Sequence, residues 1–169
     1  SAPDPAPSVA AMRAAGLLAA VLPGADDRTL APLVHLEQSA NLSPDAMRRL
    51  ACLGGDDPAL LLRLSKAQTK RLHVLRDGMA STASVAELGY RHGADMALDI
   101  VVLRDAMLET LFDPSARRLA ETGAQAEFPV NARDLMPTYS GPALGARLKY
   151  LEKRWIASGF SLTKDELLK

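Results

Sequence analysis

Helix-capping signals recur along nearly the whole chain and constrain its fold more than any other feature. Three segments show the capping-box pattern, in which a Ser or Thr and the residue three positions later each bond the other's backbone N–H. They begin at Ser65, Ser84 and Thr163. Pro23-Gly24 and Gly54-Gly55 are typical helix ends. No segment alternates apolar and polar residues between hairpin turns, so the pattern predicts an all-α protein.

The same rules predict the remaining boundaries and the architecture. We expect further helices from Ser8 to Leu22, from Asp26 or Asp27, from Ser43-Pro44 to Gly54, and from Asp113-Pro114 to Gly123. Residues 94–112 are apolar on more than one side, which predicts a central buried helix. We therefore expect a multi-helix bundle of short helices around this central helix, with a long C-terminal helix and a tail. Residues 1–127 would form the helical body domain and residues 128–169 the C-terminal tail element.

Two predicted helices carry a basic face opposite an apolar stripe. In the helix that starts near Ser140, Lys149 and Lys153 lie opposite the apolar stripe, and Arg147 and Arg154 lie on one flank. In the helix that starts at Ser65, they are Lys66, Lys70 and Arg76. The apolar stripes comprise Leu144, Leu148, Leu151 and Trp155 in the first helix and Leu72, Leu75 and Met79 in the second. Such a face is often only the solvated side of a helix; the alternative is contact with a phosphate backbone.

Charge is unevenly distributed along the chain, although the formal net charge is zero. Residues 63–92 carry six basic and two acidic side chains, and residues 147–169 carry six and three. The other two segments are acidic, with four basic and seven acidic side chains in 1–62 and four and eight in 93–146. The two basic blocks indicate where a polyanion would bind better than the total charge does.

The sequence contains no recognisable catalytic or metal-binding motif. His35, His73 and His92 lack the spacing of metal ligands, and a lone helical His is usually solvated or packed. Cys52 is the only cysteine, and we expect it to be a small buried apolar residue. The acidic pairs at 26–27 and 56–57 are expected to cap helices. We therefore predict no catalytic residue, no metal site and no cofactor in this chain.

Gly141-Pro142-Ala143-Leu144-Gly145 is the most distinctive local pattern. In one interpretation it is a helix start with Pro at the first helical position, followed by a glycine, Gly145, that lets another helix approach closely. In the other, the exposed N–H groups of this helix start bind a phosphate, with Gly141 and Gly145 as candidate residues. The sequence is compatible with both interpretations.

The start of the chain and its apolar runs bear on its compartment. Residues 1–5 include neither an initiator Met nor a basic residue, so we expect a cut or engineered end and not a signal peptide. The longest apolar run, residues 16–22, is far shorter than the roughly 20 residues of a membrane span. A single cysteine fits a reducing compartment. We expect a cytoplasmic protein without a membrane partner, and the sequence leaves its oligomeric state open.

Three segments, in order, resemble the C-terminal half of class II tRNA nucleotidyltransferases (CCA-adding enzymes) and bacterial poly(A) polymerases. Residues 11–23 resemble the Gly-Val-Leu to Val-Leu-Pro element that follows the neck of these enzymes. Residues 62–68 resemble the Leu-Arg-Leu-Ser helix start of their body. Residues 128–136, 141–145 and 148–155 resemble their C-terminal Pro-to-Asp-Leu, Gly-Pro-x-Leu-Gly and Leu-Glu-x-x-Trp elements. The resemblance spans nearly the whole chain.

The resemblance implies a helical body and tail that hold tRNA or an RNA 3′ end for a separate catalytic head. In that family the head has a Gly-Gly loop and a metal-binding Asp-x-Asp, and the neck has a Glu-Asp-x-x-Arg that reads the nucleotide base. This sequence lacks the Asp-x-Asp and the Glu-Asp-x-x-Arg, and Asn131-Ala132 replaces the usual Thr/Ser-Gly. Mg²⁺ and ATP or CTP are therefore expected only for the missing head. Phosphoryl transfer needs metals and positioned phosphates, so this chain is not expected to catalyse it alone.

The sequence thus predicts the RNA-binding body and tail of a template-independent RNA nucleotidyltransferase that performs tRNA CCA addition or polyadenylation. Its partners would be tRNA or an RNA 3′ end and the missing head and neck. The candidate RNA-binding residues are Lys66, Lys70, Arg76, Arg147, Lys149 and Lys153. The alternative is an all-helical protein-interaction scaffold with no RNA role. A large apolar patch with scattered basic residues would favour the scaffold, and basic residues merged into one face would favour RNA.

Overall fold

A computed structural model describes residues 2–136 and 138–169, and its regular structure is entirely helical. The helices are α1 (Ala6–Ala14), α2 (Leu17–Val21), α3 (Leu30–Ser39), α4 (Ala46–Leu53), α5 (Pro58–Leu61), α6 (Lys66–Ala80), α7 (Val85–His92), α8 (Ala94–Leu108), α9 (Ser115–Gln125), α10 (Ala132–Leu135), α11 (Gly141–Ala157) and α12 (Lys164–Leu168). The described residues contain no β-strand, and an isolated bridge joins Ala25 and Gly54. The predicted all-α fold is confirmed.

Helix α8 is the centre of the bundle, as predicted. Helices α3, α4, α6, α7 and α9 pack around it. Its completely buried positions are Ala97, Ile100 and Val102. The helix is shorter than predicted, because Glu109 adopts a left-handed backbone conformation (φ 55°) and ends the helix at Leu108. Met107, Leu108 and Leu111 are exposed, although the sequence placed them in the buried helix, and Leu111 keeps 87% of its surface in solvent.

Capping side chains set several helix starts. Ser65 and Thr163 form complete capping boxes at the starts of α6 and α12, and the side chain of Ser84 caps α7. The cap of α4 differs from the prediction, since Asp45 and not Ser43 accepts a hydrogen bond from the first turn, at 2.7 Å. A carboxylate at this position also interacts favourably with the positive end of the helix.

Three other predicted boundaries are wrong. The single helix expected over residues 8–22 is two helices, because the chain turns at Gly16 with φ +72°. Helix α3 begins at Leu30, after the acidic pair 26–27 and not at it. Helix α9 continues through Gly123, because this glycine contacts another helix and does not end its own.

Helices α7 and α9 cross with their backbones in direct contact. A Cβ atom at Gly89 would lie 2.1 Å from the carbonyl oxygen of Ala120, and one at Gly123 would lie 1.8 Å from that of Ala86. Because no Cβ fits at such distances, the crossing requires glycine at both positions. The prediction that Gly145 lets another helix approach closely is wrong, since a Cβ atom at Gly145 would meet nothing within 4 Å.

An ionic network that sequence analysis did not predict connects the helices around α8. It comprises the acidic Glu37, Asp45 and Asp99 and the basic Arg48, Arg49 and Arg71. These residues belong to α3, α4, α6, α8 and the cap of α4, so the network connects the helices that surround the core. Its charges balance, with three of each sign, which is the condition under which buried charges are tolerated.

Each carboxylate of the network accepts hydrogen bonds from arginine. Glu37 binds Arg48 through Oε1 (2.9 Å to Nε) and Arg49 through Oε2 (2.8 Å to Nη2). Asp99 accepts from Arg48 and from Arg71, the latter at 2.8 Å. Other guanidinium N–H groups donate to backbone carbonyls. Arg48 donates to Ser43, and Arg49 donates to Ala2 and Pro3. The network is therefore a structural element rather than a reactive site.

A second apolar cluster packs the C-terminal part of the chain. Trp155 lies at its centre, with ring centroids 5.5 Å from Phe128, 5.5 Å from Tyr90 and 4.9 Å from Phe160. The predicted stripe of α11 faces this cluster, with Leu151 and Trp155 buried and Leu144 and Leu148 half-buried. Tyr90 of α7 also packs against this cluster. The division into a body of 1–127 and a tail of 128–169 stays a prediction.

Candidate nucleic-acid interface

Lys66 and Lys70 lie on the exposed side of α6. They stand one turn apart and line a groove of about 480 Å³ together with His73 and Asp77. Neither ammonium group pairs with a carboxylate among residues 2–136 and 138–169. Both charges are therefore available to an anion from solution.

Arg76 does not lie with these lysines on the exposed face. Its guanidinium donates to the carbonyls of Gly54 and Gly55, the latter at 3.3 Å, in the loop between α4 and α5. Burial lowers the pKa of Arg76, because desolvation disfavours the charged form. The side chain thus fastens α6 to this loop, and the exposed face of α6 presents the two lysines.

Lys149 and Lys153 lie on the exposed side of α11 and line a groove of about 430 Å³ between α7 and α11. On the α7 side of this groove, Arg91 and Glu87 form an ion pair of 2.9 Å. Neither lysine forms an ion pair within the described part of the chain. Sequence analysis missed Arg91, although its position four residues after Glu87 and within the basic block 63–92 was a signal.

Tyr90 and Glu152 join the two helices that form this groove. The Tyr90 hydroxyl donates to Oε1 of Glu152 at 2.8 Å. Burial of the phenol, reinforced by this hydrogen bond to a carboxylate, raises the pKa of Tyr90 to about 12. The protonated phenol is therefore the form that holds α7 against α11.

The grooves along α6, α7 and α11 join into one band. The α6 groove shares Asp77 with a groove at the end of α6, and that groove shares Glu87 and Arg91 with the α7–α11 groove. We call this band the α6–α7–α11 tract. Its charged lining residues are the basic Lys66, Lys70, Arg91, Lys149 and Lys153 and the acidic Asp77, Glu87 and Glu152. Five cations against three carboxylates leave a net of two positive charges, and the residues shared between the grooves are Asp77 and the Glu87–Arg91 ion pair.

Arg147 lies beside two tyrosines and does not line the tract. Its guanidinium carbon is 5.3 Å from the ring centroid of Tyr150 and 5.8 Å from that of Tyr139. Its Nε is buried and has no hydrogen-bond partner in the described residues. Cation–π attraction to the two rings therefore holds the guanidinium in place.

Gly141 begins α11, as both sequence interpretations expected. Its φ of +54° is readily adopted by glycine, and a proline follows in the first turn. The preceding Ser140 makes no capping hydrogen bond with its side chain. Gly141 and Gly145 are both exposed, and phosphate binding at this helix start stays a prediction.

The described residues contain no group of three or more His, Cys, Asp or Glu side chains that could hold a metal ion. His35, His73 and His92 are exposed. Cys52 is half-buried, with its Sγ 3.1 Å from Oγ1 of Thr29. Burial raises the pKa of the Cys52 thiol, which disfavours the reactive thiolate.

Comparison with known proteins finds no match: no family model, curated protein or solved structure matches this chain. The resemblance to RNA nucleotidyltransferases therefore stays a prediction from motifs. Within residues 2–136 and 138–169, no helix has both the length and the apolar character needed to cross a membrane.

Proposed function

We propose that this chain binds RNA along the α6–α7–α11 tract, as the body and tail of a template-independent RNA nucleotidyltransferase that adds CCA to tRNA or polyadenylates RNA. The continuity of the tract supports the proposal, because two basic faces that are distant in sequence line one band of grooves. Catalysis would belong to a head and neck outside these residues, which would bind the metal ions and the nucleotide.

The chemistry of the tract suits a phosphate backbone better than base recognition. Its four lysines have compact charges on flexible stems, and contacts with phosphates carry no sequence information. We therefore expect weak, sequence-independent binding with a strong dependence on salt. For four neutralised phosphates of single-stranded RNA, log K should fall with log salt with a slope of about −2.8, a loss of about 50-fold between about 50 and 200 mM.

Fluorescence anisotropy with a labelled tRNA and a labelled single-stranded RNA tests the proposal. The tract variant combines Lys66→Gln, Lys70→Gln, Lys149→Gln and Lys153→Gln. The control variant removes four exposed positive charges that do not line the tract, through Arg28→Gln, Arg118→Gln, Arg133→Gln and Lys169→Gln. We expect the tract variant to lose at least about tenfold in affinity and most of its salt dependence, and the control to lose less than about threefold. Absence of binding at low salt, or equal losses in the two variants, would overturn the proposal.

A second candidate function is that of a protein-interaction scaffold. An apolar groove of about 360 Å³, lined in part by Val9, Leu50 and Leu62, favours it. Leu60 and Leu61, which directly precede Leu62 in the sequence, are exposed. A head or neck domain would need a similar surface, so the groove alone does not separate the candidates. The grooves that connect the two lysine pairs favour RNA, and a wild-type chain that binds no RNA at low salt would favour the scaffold.

A further inference from the structure

An exposed tyrosine on α11 is surrounded by cations. Tyr150 keeps 53% of its surface in solvent. Residues three or four positions apart are neighbours on a helix surface, and the neighbours of Tyr150 are Ala146, Arg147, Lys153 and Arg154. Three of these four residues are positively charged, so α11 presents an aromatic ring within a basic surface.

Arg147 connects this ring to a tyrosine that packs against the second apolar cluster. The Arg147 guanidinium lies over the rings of both Tyr150 and Tyr139, and its buried Nε has no hydrogen-bond partner in the described residues. Tyr139 is half-buried and packs against the second apolar cluster. The three side chains therefore form a stack that is anchored to the core at Tyr139 and open to solvent at Tyr150.

We propose that Tyr150, supported by Arg147, is a stacking platform for an unpaired nucleobase. This inference rests on the proposed function, since it needs RNA on the adjacent tract. Lys153 lines the tract and neighbours Tyr150 on the surface of α11, so a strand bound at Lys153 would pass beside the ring.

The chemistry of stacking defines the ligand. An aromatic side chain stacks on the π-face that every base has, so the platform accepts any base and adds no sequence preference. Bases inside a duplex are already stacked and paired and do not reach such a ring. The platform therefore distinguishes single-stranded from double-stranded RNA, a choice that the lysines alone do not make.

Wild-type protein, Tyr150→Ala and Tyr150→Phe are to be compared on a single-stranded RNA of roughly ten nucleotides and on a duplex of the same length. The single strand contains a fluorescent adenine analogue whose emission is quenched by stacking. We expect Tyr150→Ala to weaken single-strand binding by about 5- to 150-fold, the contribution of one stacked base, and to abolish quenching. Duplex binding should change by less than about twofold, and Tyr150→Phe, which keeps the ring, should behave as wild type.

The possible results show whether the proposed function or only the stacking platform fails. If wild-type protein binds neither RNA, the proposed function fails and the platform with it. If wild type binds both RNAs, but Tyr150→Ala changes neither affinity nor quenching, the platform alone is overturned. Equal losses of single-strand and duplex binding in Tyr150→Ala would also overturn it. Quenching by the wild-type protein tests stacking without a variant, and Trp155 emission shows whether each variant is folded.

Discussion

The carboxylate of Glu37 is the buried group whose loss should destabilise the protein most. The residue is 2% exposed, and its two oxygens bind the guanidinium groups of Arg48 and Arg49, which are buried as well. In Glu37→Gln, one oxygen becomes an NH₂ donor that faces a guanidinium. The network then contains three cations and two carboxylates, so one buried positive charge has no counterpart.

Removing one partner of a buried ion pair costs about 3–5 kcal/mol, because the other charge stays buried without compensation. We expect the free energy of unfolding to fall by this amount in Glu37→Gln. For a chain of this length, that corresponds to a Tm lower by about 6–20 °C. Urea titration followed by far-ultraviolet circular dichroism measures the change. The control Glu121→Gln makes the same substitution at an exposed residue of α9 and should stay within about 0.5 kcal/mol of wild type.

A loss below about 1 kcal/mol in Glu37→Gln, or equal losses in both variants, would refute this reasoning. Such a result would mean that water or other acceptors already solvate the two arginines. A double variant gives an independent check. Glu37→Gln combined with Arg49→Gln restores the charge balance, so it should be less unstable than the sum of the two single variants.

Other substitutions test the helix crossing, the Tyr90 hydrogen bond and the exposed segment that follows α8. Gly123→Ala should lower the unfolding free energy in urea titrations by about 1–3 kcal/mol, because its Cβ would lie 1.8 Å from a carbonyl of α7. Gly145→Ala, into open space, should raise it by up to about 1 kcal/mol, and a loss there would contradict this account. The raised pKa of Tyr90, about 12, stabilises the fold below about pH 10, and this stability is lost as the pH rises towards 12. Tyr90→Phe should remove that loss in unfolding followed by Trp155 fluorescence, and an unchanged pH profile would contradict it. Leu111→Ser, at a residue 87% exposed, should change the unfolding free energy by less than about 0.5 kcal/mol.

The start of a helix could be predicted from the sequence where the capping side chain bonds a backbone N–H only three residues away. Ser65, Ser84 and Thr163 cap helices where the sequence placed them, because their partners are local. Predictions failed where a residue's role depends on a distant neighbour. Gly123 has the sequence context of a helix end, but it admits the backbone of α7.

The ionic network and the full tract could not be predicted, because their members are distant in sequence. Arg48 and Asp99, for example, are 51 residues apart. The helical periodicity of α6 placed Lys66 and Lys70 on the exposed side correctly. It failed for Arg76, because a guanidinium on a long stem can turn back to carbonyls of a neighbouring loop.

Helix α7 is fixed from two sides, and this affects any ligand of the tract. Leu88 is buried in the first apolar cluster and Tyr90 packs against the second, while the glycine crossing holds the helix against α9. The backbone that supports Arg91 therefore stays at a set separation from the backbone that supports Lys149 and Lys153. Only side chains lose freedom when an anion binds between them, which lowers the entropy cost of association. Under the proposed function, the tract would therefore favour anions whose charge spacing matches the separation of these two backbones.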